Sequence, residues 1–411
     1  MKIERQLSRF FINFLIILMF FFAVVSVIQG VRNAIGSVHG SFDFQYDSAI
    51  LFRERINPYD ESLNPTGIAQ NMGLFEYYDK VEANQFPSLL AILLPYTFLP
   101  PHMANIAWAL TNLLMTSVII ALSRKLFFIE SDKQVFILLV LCLLSGTGWR
   151  NNIGNGQHTI FAFAFFLISL WLSECKRPIL SGITLAVSYL KYTLTIPLAL
   201  YFIFKKKYKE LVISVAIHVV ATPLCALWLN DSVVNMIRKP LEVSGALSSS
   251  GYIDFSSVIN MAPGMSMALA VLMCGFMFVL ALIGSRRNGS IYYSILSYIS
   301  LIVIYHRLYD FFILFIPVGL FLGLWQKESD SSKRRVYLID AIVSAGIFVY
   351  GNFVQKVIDV LMNRVPLIQS LNPHLTFLYA IVVYVFVVWL IIQYMQNKSE
   401  NKMGRKETVK L

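Results

Sequence analysis

Residues 10–29 read FFINFLIILMFFFAVVSVIQ, twenty residues without a charge. A helix of that length rises about 30 Å, the thickness of a bilayer's hydrocarbon core. Lys2, Arg5 and Arg9 precede it, as in a secretory signal. The apolar run is too long for a signal core, however, and no small-residue cleavage pattern follows. It is expected to remain as a signal-anchor helix. Comparable runs recur as far as Gln393, each closed by a short charged or Gly/Pro-bearing segment. The chain is 57% hydrophobic and 14% charged with a mean hydropathy of +0.65, whereas a soluble domain carries about 25% charged residues. The expectation is an all-α polytopic membrane protein, with one membrane domain over residues 1–395 and a basic polar tail, 396–411, that reads as disordered. Cys142, Cys175, Cys225 and Cys274 lie in or beside apolar runs at wide spacings, which indicates neither a disulfide framework nor a zinc site.

Twelve spans fit the pattern: 10–29, 103–122, 135–149, 158–174, 178–190, 192–204, 210–229, 266–284, 290–305, 309–326, 337–350 and 376–395. With the N-terminus inside, 23 of the 34 Lys and Arg fall on inner segments, which meets the positive-inside rule. Both termini are then cytoplasmic. The net charge of +11 is accounted for by anionic lipid without a nucleic-acid partner. Two stretches strain the map. Residues 86–101, with Pro87, Pro95, Pro100 and Pro101, read as an outer re-entrant helix or a short crossing. Residues 178–204 read as two short helices meeting near Lys191 or as one long helix.

Ionisable or irregular segments at membrane depth are costly, so they point to a functional cavity. Four groups converge on the predicted outer face. The first loop, 30–102, carries Asp43, Asp47, Arg53, Glu54, Arg55 and Asp60 among aromatics, and reads either as a structured cap or as a solvated loop. RNNIGNGQH, Arg150 to His158, has the glycines of a phosphate loop, but no strand precedes it and no Gly-Lys-Ser/Thr ending follows. It is a tight polar turn, or a donor-rich site through Arg150, Asn155, Gln157 and His158. Lys191 stands apart from the Lys205 cluster, and either snorkels to the interface or faces a cavity at a half-helix junction. YHRLYD, Tyr305 to Asp310, breaks two apolar spans with His306, Arg307 and Asp310 together. Lys191, His306 and Arg307 are the candidate ligands of an anionic group. No ligand spacing demands a metal, and no cofactor is expected.

In order along the chain stand Asp43 three residues before Tyr46, then Asn57-Pro58-Tyr59, Phe86-Pro87 leading to Leu99-Pro100-Pro101, Gly156-Gln157, Arg177-Pro178 with Gly182, and Lys191. This pattern resembles glycosyltransferase family 87, membrane mannosyltransferase-like enzymes of the C-type glycosyltransferase superfamily, over most of the chain. Phe86-Pro87-Ser88 replaces the family's frequent Tyr-Pro-Pro, and Lys191-Tyr192 its Lys-Pro. The resemblance implies the C-type fold with a long, catalytic first extracytoplasmic loop. It also implies transfer of one hexose, mannose favoured, from a polyprenyl-phosphate donor to a glycan or glycolipid acceptor outside the cell (inner) membrane. Asp43 stands at the family's aspartate and is the expected catalytic base, with Asp47 as understudy. Asp47, Tyr46, Arg150, Gln157, His158, Lys191, His306, Arg307 and Asp310 are the expected substrate-binding residues. The competing readings are a flippase for lipid-linked sugars and a lipid-linked glycan polymerase or ligase. A flippase favours polar groups in many spans and paired halves, and a ligase places its large outer loop later.

Overall fold

The computed structural model describes residues 2–36, 44–59, 83–128, 132–246, 252–259, 261–284, 288–362 and 364–396. Asp43, Asp60, Arg286, Arg287 and the tail from 397 onward lie outside them. Among the described residues the regular structure is helical and contains no strand. The elements are α1 (Lys2–Gly36), α2 (Tyr46–Arg53), α3 (Pro87–Leu93) with a 3-10 turn to Phe98, α4 (Pro101–Leu126), α5 (Lys133–Ser145), α6 (Thr147–Asn155) and α7 (Thr159–Glu174). Then follow α8 (Pro178–Ser188), a 3-10 turn (Tyr189–Lys191), α9 (Tyr192–Phe204), α10 (Tyr208–Leu229), α11 (Val233–Ala246), α12 (Phe255–Ile259) and α13 (Pro263–Gly284). The chain closes with α14 (Gly289–Ile302), a 3-10 run (Leu308–Leu314), α15 (Phe315–Lys327), α16 (Ser331–Val349) with a π turn to Val354, α17 (Gln355–Met362) and α18 (Pro366–Gln396).

The helix starts carry their usual chemistry. Asp132, Asn288 and Asp330 each accept two backbone N–H bonds from the first turn they cap, and Pro101 and Pro178 occupy first-turn positions that need no donor. Asn13 of α1 meets Gln134 of α5 at 3.2 Å and Gln29 meets Arg150 of α6 at 2.8 Å. Helix α1 and the α5–α6 pair therefore run parallel. Lys125 lies 5.7 Å from the Trp171 ring, Glu174 pairs with Lys205 at 3.3 Å, and Phe204 stacks on Tyr292. These contacts gather Arg124, Lys125, Lys133, Lys176, Arg177 and Lys205 to Lys209 at one end, the basic end. At the other end Trp108 donates to the Gly156 carbonyl at 2.8 Å.

By length and composition eight helices could cross a membrane, nine when the pair Lys133–Asn155, bent by 48°, is counted as one span. Pro87–Phe98, Thr159–Glu174 and Gly289–Ile302 are apolar but shorter. The expectation of about twelve crossings is not confirmed by this count. The spans at 158–174 and 290–305 are short helices almost wholly buried in protein, so their sides meet other helices rather than lipid. Phe14, Ile17, Val212 and Val271 on α1, α10 and α13 are by contrast exposed, as lipid-facing residues are.

Residues 178–204 form one continuous helical run, and as a straight rod it would be about 40 Å long. Its ends nevertheless touch the same place: Lys205 pairs with Glu174, and Lys207 Nζ donates to the Ser173 carbonyl at 3.4 Å. The run folds back on itself. Lys191, at φ −115° and ψ 67°, leaves the helical region and forms the apex. Two short helices meeting near Lys191 is the reading that holds. Each arm is on the order of 20 Å long, so the apex is recessed relative to a full crossing.

Just past the bend between α5 and α6, Gly148 packs closely: a Cβ there would sit 2.5 Å from Asn352 Oδ1 and 3.2 Å from the Leu308 carbonyl. Gly148→Ala is expected to cost about 1–3 kcal/mol as overpacking, read as a lowered melting temperature in detergent. An unchanged melting temperature would show that Asn352 can move aside.

Candidate active site

Three of the four polar groups predicted from sequence meet at the hairpin apex. Lys191 Nζ lies 3.3 Å from Gln157 Oε1, 3.6 Å from Asp310 Oδ2 and 5.2 Å from the centre of the Tyr309 ring. Asp310 is 1% exposed; its other oxygen accepts from the Thr159 hydroxyl, and His306 Nδ1 donates to Oδ2 at 2.6 Å. A buried carboxylate is tolerable only when paired and hydrogen-bonded, and here three elements supply the partners. His306 Nε2 is buried with no hydrogen-bond partner among the described residues. Lys191 is 14% exposed with two long oxygen contacts, so its ammonium retains capacity to donate to an incoming anion.

Local structure explains the convergence. Gly156 adopts φ 69°, the left-handed conformation that ends α6, and Gln157 N bonds back to the Asn152 carbonyl at 2.9 Å. Asn152 Nδ2 donates to the Tyr309 carbonyl at 2.6 Å, tying the turn to the Leu308–Leu314 run. His158 Nε2 donates to the Phe44 carbonyl at 3.0 Å and packs edge-on against Trp108, pinning the first loop beside the turn. Gln45 is left-handed at φ 61°, a strained position for a residue with a Cβ, and it redirects the chain into α2. Beyond α2, Asn57 Nδ2 donates to Asp231 Oδ2 at 2.8 Å, the Tyr59 hydroxyl donates to the Gln85 carbonyl, and Arg55 lies 4.0 Å over Trp228. The Asn-Pro-Tyr segment thus clamps this loop to the end of α10.

Apolar space adjoins the cluster. A cavity of about 300 Å³ is lined by Phe86, Tyr192, Ile196, Cys274, Ile304 and Tyr305 among others. Tyr192 follows Lys191 and Tyr305 precedes His306 in the chain. A second cavity of about 530 Å³ shares Phe86, Tyr192 and Ile196 and extends to His218 and Ile237.

The model of glycosyltransferase family 87 matches residues 87–304, a little over half of the chain. The chain belongs to glycosyltransferase family 87. No curated protein and no solved structure matches it. Family 87 makes the protein a membrane glycosyltransferase with sugar donor and acceptor substrates. Gln157, His158 and Lys191 lie within the matched segment of this family-87 enzyme, whereas Tyr46, Asp47, His306, Arg307 and Asp310 flank it.

The expected site residues separate by position. Gln157, Lys191, His306 and Asp310 form one cluster. His158 is buried at its side, and Arg307 is exposed beside Tyr305, 5.9 Å from the ring. The Arg150 guanidinium donates to Gln29 and the Tyr46 hydroxyl to the Leu99 carbonyl at 2.7 Å, so these polar groups brace the glycosyltransferase's scaffold. Thr159, Asn152, Tyr309 and Trp108 belong to the cluster's frame and were not foreseen. Thr159 and Asn152 carry the one available signal, adjacency to the Gly156-Gln157 turn.

Asp47, in the first turn of α2, is buried with no hydrogen-bond or ion-pair partner among the described residues. Burial pushes its carboxyl up to about 6. A carboxyl raised in the fold loses stability as pH rises from its unfolded value, near 4, through 6, and above that the loss is complete. Asp47→Asn should therefore melt higher than the parent at pH 7.5, by on the order of 2–3 kcal/mol, with the gap closing as pH falls from 6 to 4. A gap that is absent or independent of pH would mean that the carboxylate is solvated.

Proposed function

We propose that the chain is an inverting hexosyltransferase that moves a single sugar, mannose favoured, from a polyprenyl-phosphate donor to a glycan or glycolipid acceptor. The reaction belongs to the end opposite the basic end, taken as extracytoplasmic in the inner membrane, with both termini cytoplasmic and residues 1–395 acting as one membrane domain. The observation that carries this reading is the junction of the Lys191–His306–Asp310 cluster with apolar cavities at the hairpin apex. A lipid phosphate has that same division. Its polyprenyl tail suits the space along Phe86, Tyr192 and Ile196, and its phosphate suits Lys191, His306 Nε2 and Arg307. Asp310, held by Thr159 and His306, orients the cluster.

In the transfer, the acceptor oxygen forms its bond to the anomeric carbon as the bond from that carbon to the phosphate oxygen breaks. A carboxylate takes the hydroxyl proton, for which Asp43 is proposed with Asp47 as the second choice. The phosphate keeps the electron pair and leaves as a weakly basic anion, so it needs charge stabilisation rather than a proton donor.

The test is transfer by the purified protein in nanodiscs, with labelled polyprenyl-phosphate mannose and glycan or glycolipid acceptors. One sugar should be transferred for each free lipid phosphate released, with inverted anomeric configuration, and nucleotide sugars should be inert. Use of a nucleotide sugar, or movement of the donor across a bilayer without release of lipid phosphate, would sink the proposal.

A further inference from the structure

At the basic end, two helix-to-helix turns lie side by side. The first, Glu174-Cys175-Lys176-Arg177, joins α7 to α8, and the second, Lys205-Lys206-Lys207, joins α9 to α10. They share one backbone geometry. Lys176 and Lys206 both have φ 58°, Arg177 N bonds to the Leu172 carbonyl at 2.9 Å, and Lys207 N bonds to the Phe202 carbonyl at 2.8 Å. Glycine is the residue that usually fills this left-handed position, because a Cβ is strained there. A lysine at both positions keeps a charge where the backbone favours none. The turns are in contact through Glu174–Lys205 and through Lys207 to the Ser173 carbonyl.

The surroundings identify a partner. Lys176, Arg177, Lys205, Lys206 and Lys209 are exposed, and the positively polarised starts of α8 and α10 arise at the same turns. Among the described residues, Glu174 is paired with Lys205, and Glu210 is buried, accepting from the Ser173 hydroxyl at 2.6 Å. Trp171, Tyr201 and Tyr208 stand at this level, with Lys125 and Lys205 over the first two rings; aromatics of this kind mark headgroup depth. Beneath the turns, Ile179, Leu180 and Ile183 of α8 and Val212 and Val215 of α10 are exposed. We propose that the paired basic turns form a binding site for an anionic phospholipid, its headgroup phosphate between Lys176 and Lys206 and its acyl chains along α8 and α10. The site lies at the base of the hairpin whose apex is Lys191, away from the reaction centre.

The double variant Lys176→Gly, Lys206→Gly tests this, because glycine removes both charges while favouring the backbone the turns already adopt. Each surface lysine contributes roughly a five-fold factor in anionic-lipid binding. Phosphatidylglycerol retention, measured by native mass spectrometry of protein released from mixed phosphatidylglycerol and phosphatidylcholine nanodiscs, should weaken about 30-fold. In phosphatidylcholine alone the variant should melt no lower than the parent. The variant Lys133→Ala, Lys327→Ala removes equal charge from the start of α5 and the last turn of α15 and should retain the lipid. Unchanged retention in the glycine variant, or an equal loss in the control, would overturn the site in favour of none or of a diffuse charge effect.

Discussion

Asp43→Asn is expected to lower turnover about 10²- to 10⁴-fold while leaving donor affinity largely intact. The substitution keeps the shape of the side chain and removes its basicity, so it separates proton removal from binding. A hydroxyl is a poor nucleophile, and this mechanism has a single proton to move. The next residue, Phe44, presents its carbonyl to His158, which adjoins Gln157 and through it Lys191. Asp47 is the rival. It is buried, unpartnered among the described residues and raised to about 6, a value suited to a base at neutral pH. Steady-state turnover of the two Asn variants decides between them. Loss in Asp47→Asn with near-normal Asp43→Asn would transfer the role, and near-normal turnover in both would refute a carboxylate base.

Lys191→Met should weaken binding of polyprenyl phosphate by about 30- to 5,000-fold, corresponding to about 2–5 kcal/mol for the loss of one partner of a charged contact in a desolvated site. A purely structural role for Lys191, as counter-charge to Asp310, also predicts damage, so the single variant is not enough. The double variant Lys191→Met, Asp310→Asn distinguishes the two roles. If Lys191 serves only to neutralise Asp310, removing both charges restores binding. If it contacts the phosphate, the loss persists, because the ligand's charge remains unpaired. Isothermal titration with the lipid phosphate in detergent reads both outcomes.

Much of this architecture was legible in the sequence, and the exceptions have physical reasons. Long uncharged runs such as 10–29 identify helices because a helix satisfies its own backbone in lipid within a single segment. The apex at Lys191 was signalled by an isolated charge between apolar runs, and the cluster by the fact that Gln157, Lys191, His306 and Asp310 all interrupt such runs. The number of crossings was not legible. Residues 159–174 and 289–302 are as apolar as the longer helices but shorter, and composition does not distinguish a helix wrapped in protein from one wrapped in lipid. Arg150 read as a ligand because its partner, Gln29, is set by the parallel packing of α1 against α6, a tertiary fact. Nothing in the sequence reading singled out Thr159, and only the fold brings Asp310 to it.

The most direct test of the central claim is the structure of the protein with polyprenyl phosphate bound in nanodiscs, determined by electron cryomicroscopy. The phosphate should lie about 3 Å from Lys191 Nζ, within reach of His306 Nε2, with the tail passing along Phe86, Tyr192 and Ile196. A phosphate more than a helical turn away from Lys191, or a tail outside both cavities, would contradict it.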